Sequence, residues 1–494
     1  MLDVIDRFFS VSARDGESVA VYNDTTRVRF KDLAAYVRKY ATLFSSTSAP
    51  KVMIAIDHGT DAYAAMLGTI MVGGFYAPVN TAAPVEKIRA ICQEFQPTII
   101  LANDITLASL SDIAPAAKRC RPLDIQSIEE FRGLGFRNKI AYVIFTSGTT
   151  GTPKGVVISN ASLSHYINWV VDSEMMKPGD RVSQYTNIAF DISVLDIFGT
   201  LCSGAMVVPL TTRSDRLMPA LGVRKYGITV WISVPSVIAL MMRAKQLNSE
   251  NLSSIRRFFF AGEPLLETHL RGIFDVLPHS EVWNAYGPTE TTVTMTCLKL
   301  NSDNYASFTR ASVAIGDVIP GMHIRLIGGD EPDAGEIVIG GPQVAEGYWN
   351  SPTLTANSFQ AVDWCGSSMR AHFSGDWGRR VNGQLYCESR IDFQVKIDGL
   401  RVELNEIAAA IRAAGWPEVA VFKLSGKLVA AIETKSGNKN SPAKKQLHSL
   451  LMSKLDAYAV PAHYVMIDEF PRTSNDKTDR KAIQEIVRQR IIAN

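Results

Sequence analysis

The stretch Thr146-Ser147-Gly148-Thr149-Thr150-Gly151-Thr152-Pro153-Lys154-Gly155 follows the apolar run IAYVIF. A strand that ends in glycines, hydroxyls and one lysine can turn backbone N–H groups, side-chain hydroxyls and a cation toward phosphate oxygens. It is not a Walker loop, which needs G-x-x-x-x-G-K-[ST]; here Pro153 precedes Lys154 and Gly155 follows it. P-loop kinases and ATPases are thereby disfavoured. Other residues whose types suit chemistry are Glu290 in NAYGPTETT, Asp376 in FSGDW, Arg390, Asp191 in FDISVLDIF and Lys477 in SNDKTDRK. Three of these have an ordinary alternative when taken singly: Asp191 is a good helix N-cap, the Tyr-Gly-Pro before Glu290 is a common turn, and a lysine near a C-terminus is usually solvated.

The elements that must position these groups follow from the pattern of the chain. Its 494 residues are 46% hydrophobic and 20% charged, a composition that excludes disordered, collagen-like and coiled-coil classes. The net charge of +2 provides no field for a polyanion, so no nucleic-acid partner is expected. Six scattered cysteines show no C-x-x-C spacing, and neither a signal peptide nor an apolar run long enough to span a membrane is evident, so a cytoplasmic location is expected. From residue 50 to about 285 short β-branched runs (KVMIAI, ITVWISV, RRFFFAG) alternate with amphipathic ones (AYAAMLGTIMV, SVIALMMRAKQL), the α/β pattern of parallel sheets covered by helices. After about residue 310, short strands with Gly-rich turns predict a small antiparallel or barrel-like subdomain. RIDFQVKIDGLRVELNEIAAAIRAAG reads as strand, Gly turn, strand and helix, and opens a small α+β domain. The boundary falls near Asp392, giving domains 1–391 and 392–494. TKSGNKNSPAKK, with Lys435, Lys439, Lys444 and Lys445 and no acid, reads as a solvated loop or a patch for an acidic partner.

Read together, YVIFTSGTTGTPKGV, FDISVLDIFGTLCSGA, NAYGPTETT, GEIVIGG with EGYW, FSGDWGRR, RIDFQVKIDGLRVELNEI and PRTSNDKTDRKAI resemble, in order and over almost the whole chain, the motifs of the adenylate-forming (AMP-binding) enzymes. VRFKDLAAYVRKYA near the N-terminus fits the same order. Their wording is most similar to the amino-acid adenylation branch of nonribosomal peptide synthesis. The resemblance implies a large AMP-binding domain followed by a mobile small one with Asp392 as hinge. It also implies activation of a carboxylate by ATP with release of pyrophosphate, then transfer of the acyl group from AMP to a thiol.

The resemblance implies roles residue by residue. Lys477 would set a cation between the attacking carboxylate and the α-phosphate, Thr289 would bond that phosphate, and Glu290 would hold Mg²⁺. ATP would be met by Thr146, Ser147, Gly148, Thr149, Thr150, Gly151 and Lys154, and by Gly262, Glu263, Asn284 and Tyr286 around the base. Asp376 and Arg390 would take the ribose. Asp191 would pair with the substrate ammonium, and Ile192, Leu195, Ile232, Phe259, Ala261, Ala285, Val293 and Thr294 would line the pocket. That lining is apolar apart from Thr294, and it predicts a hydrophobic α-amino acid, because an unpaired polar side chain would be costly to bury there. Proline, alanine, valine and their homologues precede aromatic side chains.

The chain runs only 17 residues past Lys477, without a carrier motif. The expected acceptor is therefore the phosphopantetheine thiol of a separate carrier protein. Departures from the family pattern are Asp476 before the lysine, Ser389 before Arg390, Ser374, Trp377 and Asp398. Two alternatives remain at this level. One is an acyl- or aryl-CoA ligase, against which Asp191 argues; the other is a non-catalytic nucleotide-binding regulator, which would have no need of Lys477.

Overall fold

The computed structural model describes residues 2–131, 138–146, 153–364, 366–391, 394–435, 442–472 and 478–492. The chain forms two compact units. One comprises Met1–Thr81, Cys92–Phe145 and Gly155–Ile391; the other comprises Ala82–Ile91, Thr146–Lys154 and Asp392–Asn494.

The α/β alternation expected before residue 285 is present as mostly parallel sheets. In the nine-stranded sheet the central strands Glu281–Tyr286, Arg257–Phe260, Val230–Ser233, Arg181–Gln184, Met206–Pro209 and Val19–Tyr22 run parallel. Antiparallel strands close both sides: Thr296–Leu300 and Asp317–Val318 on one, Arg27–Arg29 on the other. These central strands are buried along nearly their whole length, as a sheet covered on both faces requires. A seven-stranded sheet carries Lys51–Ala55, Phe75–Pro78, Ile99–Ala102 and Lys118–Cys120 in parallel, together with Ile140–Thr146, Lys154–Ser159 and Gly347–Tyr348. The third sheet of this unit is antiparallel. In it the fifteen-residue strand Ser367–Val381 pairs with Ala334–Gly340, Phe359–Trp364 and Gln384–Arg390, and His323–Gly328 lies beyond Ala334–Gly340.

The second unit shows the physics of strand periodicity directly. Val419–Leu424, Lys427–Glu433 and His463–Ile467 form a three-stranded sheet. Alternate residues face opposite sides of a strand. Accordingly Val419, Val421, Ala430 and Ile432 pack with Ile407, Ile411, Leu447 and Leu451 of the helices Leu404–Ala413 and Lys444–Met452. Ala420, Phe422, Val429 and Ala431 pack on the other side with Ile483 and Val487 of the helix Arg480–Ile492. The hairpin Gln394–Ile397/Leu400–Glu403 turns on Asp398 and Gly399, both at positive φ (48° and 78°). That is the two-residue turn for which an Asp-Gly pair is favoured, so the departure at Asp398 has a conformational reason.

Candidate functional site

The strand ends and connections of the large unit gather most of the expected groups. Ile232 is registered against Phe259, Phe259 against Trp283, and Ala285 lies two residues beyond Trp283 on the same face. Ile192, Leu195, Ile232, Phe259, Ala261, Ala285 and Val293 all belong to one buried apolar cluster. Thr294 is fully buried, and its hydroxyl lies 3.3 Å from that of Tyr166. Asn284 projects to the opposite face of its strand, where its Nδ2 donates to the Ala314 carbonyl at 2.8 Å. Glu263 accepts the Ser236 backbone N–H at 3.0 Å, and Gly262 before it sits at φ 92°.

Asp191 stands at the start of a helical run, Ile192–Val194, Leu195–Gly199 and Thr200–Cys202, whose middle section is π-helical. Such one-turn widenings concentrate at functional sites. Asp191 has helical dihedrals, and its side chain makes no capping bond, so the N-cap alternative does not describe it. Within the π turn Asp196 is completely buried, and burial pushes its carboxyl well above the ordinary range against the partial help of the Arg216 charge. Sequence reasoning gave Asp196 no role.

Asp376 and Arg390 face each other across the antiparallel strands. Arg390 Nη1 donates to Asp376 Oδ1 at 2.7 Å, and Nη2 donates to the Ser374 carbonyl at 3.1 Å. The Tyr286 hydroxyl donates to Asp376 Oδ2 at 2.7 Å. Burial, followed by the Asp376 charge, holds that phenol well above its usual range. Both carboxylate oxygens of Asp376 thus accept a hydrogen bond, one from a guanidinium and one from a phenol.

Glu290 is fully buried in the turn Thr289–Thr291. Its Oε1 accepts from the Tyr348 hydroxyl at 2.8 Å, and its main-chain carbonyl accepts from Ala345 N–H at 2.9 Å. Sequence reasoning gave Tyr348 no role, although it stands in EGYW. The chain then passes through Thr292 and Val293 at φ 56° and 68°. Positive φ is strained for β-branched residues and typically costs roughly 1–3 kcal/mol each. Gly287 explains how closely this turn packs: a Cβ there would lie 2.5 Å from the Val293 carbonyl oxygen.

In the second unit Lys154 Nζ lies 3.3 Å from Glu403 Oε1, with side chains 10% and 1% exposed. Glu403 also accepts from Gln394. Nearby, Lys87 pairs with Asp456, whose Oδ2 takes the Tyr458 hydroxyl at 2.7 Å. Glu406 is pushed up to about 7, chiefly by burial. Ser147, Gly148, Thr149, Thr150 and Gly151, Asp392 and Lys477 lie outside the described residues. So does half of the lysine-rich stretch, 436–441. Thr146 ends its strand with its hydroxyl 3.4 Å from the Lys154 carbonyl. Among the described residues no group of three or more His, Cys, Asp or Glu could hold a metal ion. A single buried carboxylate among hydroxyls, at Glu290, nevertheless suits Mg²⁺, which is usually held by one or two carboxylates with phosphates and water supplying the rest. No helix among the described residues is long and apolar enough to cross a membrane.

Comparisons with known proteins match this arrangement. The model of the AMP-binding enzyme family matches residues 8–349. A D-alanine–D-alanyl carrier protein ligase of Staphylococcus epidermidis is 31% identical over 99% of this chain and 100% of its own length. The Staphylococcus aureus ligase of the same name is 29% identical with the same coverage. Among solved structures, the Vibrio cholerae adenylation domain AlmE in complex with glycyl-adenosine-5'-phosphate superimposes with a TM-score of 0.85 at 26% identity, covering 98% of each chain. The holo-PA1221 protein, which contains adenylation and carrier domains, shares the fold with a TM-score of 0.80 at 23% identity, over 98% of this chain and 84% of its own. With these full-length likenesses beside the ordered motifs and the α/β fold that carries them, the chain belongs to the AMP-binding enzyme family, as a ligase similar to its amino-acid adenylation branch.

Proposed function

We propose that the protein activates a small α-amino acid of the alanine class as its aminoacyl-AMP, with release of pyrophosphate, and loads it onto the phosphopantetheine thiol of a carrier protein. The observation that carries this reading is Asp191 at the head of a helix whose next turn enters the same apolar cluster as Phe259, Ile232 and Val293. A carboxylate at the rim of an apolar pocket answers an α-ammonium while leaving a polar side chain nothing to pair with. Bulky Phe259 and Ile232, both fully buried, favour a short side chain over an aromatic one. The names of the relatives, D-alanine carrier ligases and an adenylation domain holding a glycyl adenylate, support the same size class.

The chain's residues divide the work by charge. Asp376, held by Arg390 and Tyr286, would accept the ribose hydroxyls. Thr146–Lys154 would cradle phosphates, Thr289 would bond the α-phosphate, and Glu290 would hold Mg²⁺. When bound, the metal neutralises phosphate charge. Lys477 would place a cation where the anionic carboxylate meets the α-phosphorus; removing one such preorganised group typically costs about 10² to 10³ in rate.

The test is pyrophosphate exchange into ATP across D- and L-alanine, glycine, proline, valine, phenylalanine, fatty acids and aryl acids, with Lys477→Ala as control. Exchange driven by one small amino acid and lost in the variant is expected. Exchange only with an acid lacking an amino group would overturn the reading in favour of a CoA ligase, and no exchange with any acid would favour a nucleotide-binding regulator.

A further inference from the structure

We propose that Gln343 is a positioning residue for the amino-acid pocket: its side-chain amide holds the Thr291–Thr294 turn in place, and His165 fixes that amide. The inference rests on the functional reading above for the pocket's role, and on the hydrogen-bond geometry for the clamp itself.

The turn would not hold this course unaided. Two consecutive β-branched residues, Thr292 and Val293, have positive φ; on either side Thr292 N–H donates to the Thr289 carbonyl at 3.2 Å and Met295 N–H to the Tyr286 carbonyl at 2.9 Å, and between them Thr294 N–H donates to the Thr292 carbonyl at 2.8 Å. Strain of this kind persists only where surrounding structure over-determines it, and the side chain that meets the carbonyls of this turn is Gln343. Its Nε2 lies 2.8 Å from the Thr294 carbonyl oxygen, 3.2 Å from that of Thr291 and 3.4 Å from that of Thr292. In return, the Thr292 hydroxyl donates to the Gln343 main-chain carbonyl at 2.8 Å. Gln343 is fully buried, so no solvent competes for these carbonyls.

The polarity of the network is determined. With Nε2 donating to carbonyls, Oε1 is an acceptor, and it faces His165 Nδ1 at 2.9 Å. The ring nitrogen must therefore carry the hydrogen. A chain of donation runs from His165 through the amide to the turn. A carboxylate at position 343 would present acceptors to carbonyl oxygens and could not replace the amide.

The clamp acts on one part of the site. Glu290, just before the turn, has its own anchors in Tyr348 and Ala345. Losing Gln343 therefore falls on Val293 and Thr294, which contribute to the pocket, and leaves the carboxylate of Glu290 held.

Two readouts on Gln343→Ala, Gln343→Glu, His165→Ala and His165→Asn test this in the full-length protein. Hydrogen–deuterium exchange of a peptide covering 287–296 should accelerate at least tenfold in both Gln343 variants and less in His165→Ala, with other peptides unchanged. It should return toward wild type in His165→Asn, whose Nδ2 can take the place of the ring N–H. This readout stands even if the wild type activates none of the acids offered, a result that would count against the functional reading alone. Where exchange into ATP is measurable, the KM for the amino acid should rise tenfold or more while the KM for ATP stays within threefold. Unchanged exchange of that peptide, a parallel rise in both KM values, or equal defects in His165→Asn and His165→Ala would overturn the proposal. Should Gln343→Ala fail to fold, the His165 pair decides it.

Discussion

The hydroxyl of Tyr286, the last residue of a strand in the nine-stranded sheet, donates at 2.7 Å to a carboxylate oxygen of Asp376, ninety residues later in the antiparallel sheet. The bond ties together the two groups expected to meet the adenine and the ribose. Tyr286→Phe removes it, leaves Arg390 in place, and strips one donor from a buried acceptor, a loss typically worth about 1–3 kcal/mol. Stability measured by denaturant should fall by about that amount, and the KM for ATP in pyrophosphate exchange should rise several-fold with little change in the KM for the amino acid.

Asp191→Asn keeps the shape at the pocket rim and removes the charge. If the aspartate pairs with the substrate ammonium, kcat/KM for the amino acid should fall by about 10² to 10³, the usual consequence of breaking a desolvated charge pair, while ATP binding measured by calorimetry stays near wild type. Wild-type kinetics in this variant would sink the assignment.

The Lys154–Glu403 pair is almost completely buried. Breaking such a pair from one side leaves an uncompensated charge, at a cost of about 3–5 kcal/mol. Lys154→Met should show this loss in urea unfolding, and adding Glu403→Gln should recover part of it, giving a positive coupling in the double-mutant cycle. Exchange kinetics then separate packing from chemistry. Glu403→Gln retains the lysine for phosphates and should stay within a few-fold of wild type, whereas Lys154→Met should lose activity with or without the second change.

Glu406, pushed up to about 7 by burial from an ordinary 4.5, makes stability depend on pH. The folded state binds a proton that the unfolded state has released between these values, so stability is greatest below about 4.5 and declines as the pH rises to about 7. The full effect is about 3 kcal/mol at most. Glu406→Gln should flatten this slope and stabilise the protein at pH 8 relative to wild type, but not at pH 4.5, as thermal unfolding at the two pH values would show.

Much of this protein can be read in the sequence because local preferences are short-range. Period-two alternation in Val419–Leu424 and Lys427–Glu433 already assigns each residue to one of two faces, and those are the faces the helices cover. The same alternation puts Ala285 in the apolar cluster and Asn284 on the opposite side. The facing of Asp376 and Arg390 needs only an antiparallel pair and its register. What the tertiary structure alone decided are partnerships across long separations. Tyr348 reaches Glu290 over 58 residues and Glu403 reaches Lys154 over 249, and no periodicity carries such information. The π turn below Asp191 and the positive φ of Thr292 and Val293 run against the preferences of their own residues. Packing in the folded chain outweighs those preferences, and at Thr292 and Val293 the buried amide of Gln343 adds its bonds to the neighbouring carbonyls, forces that only the folded chain brings to bear.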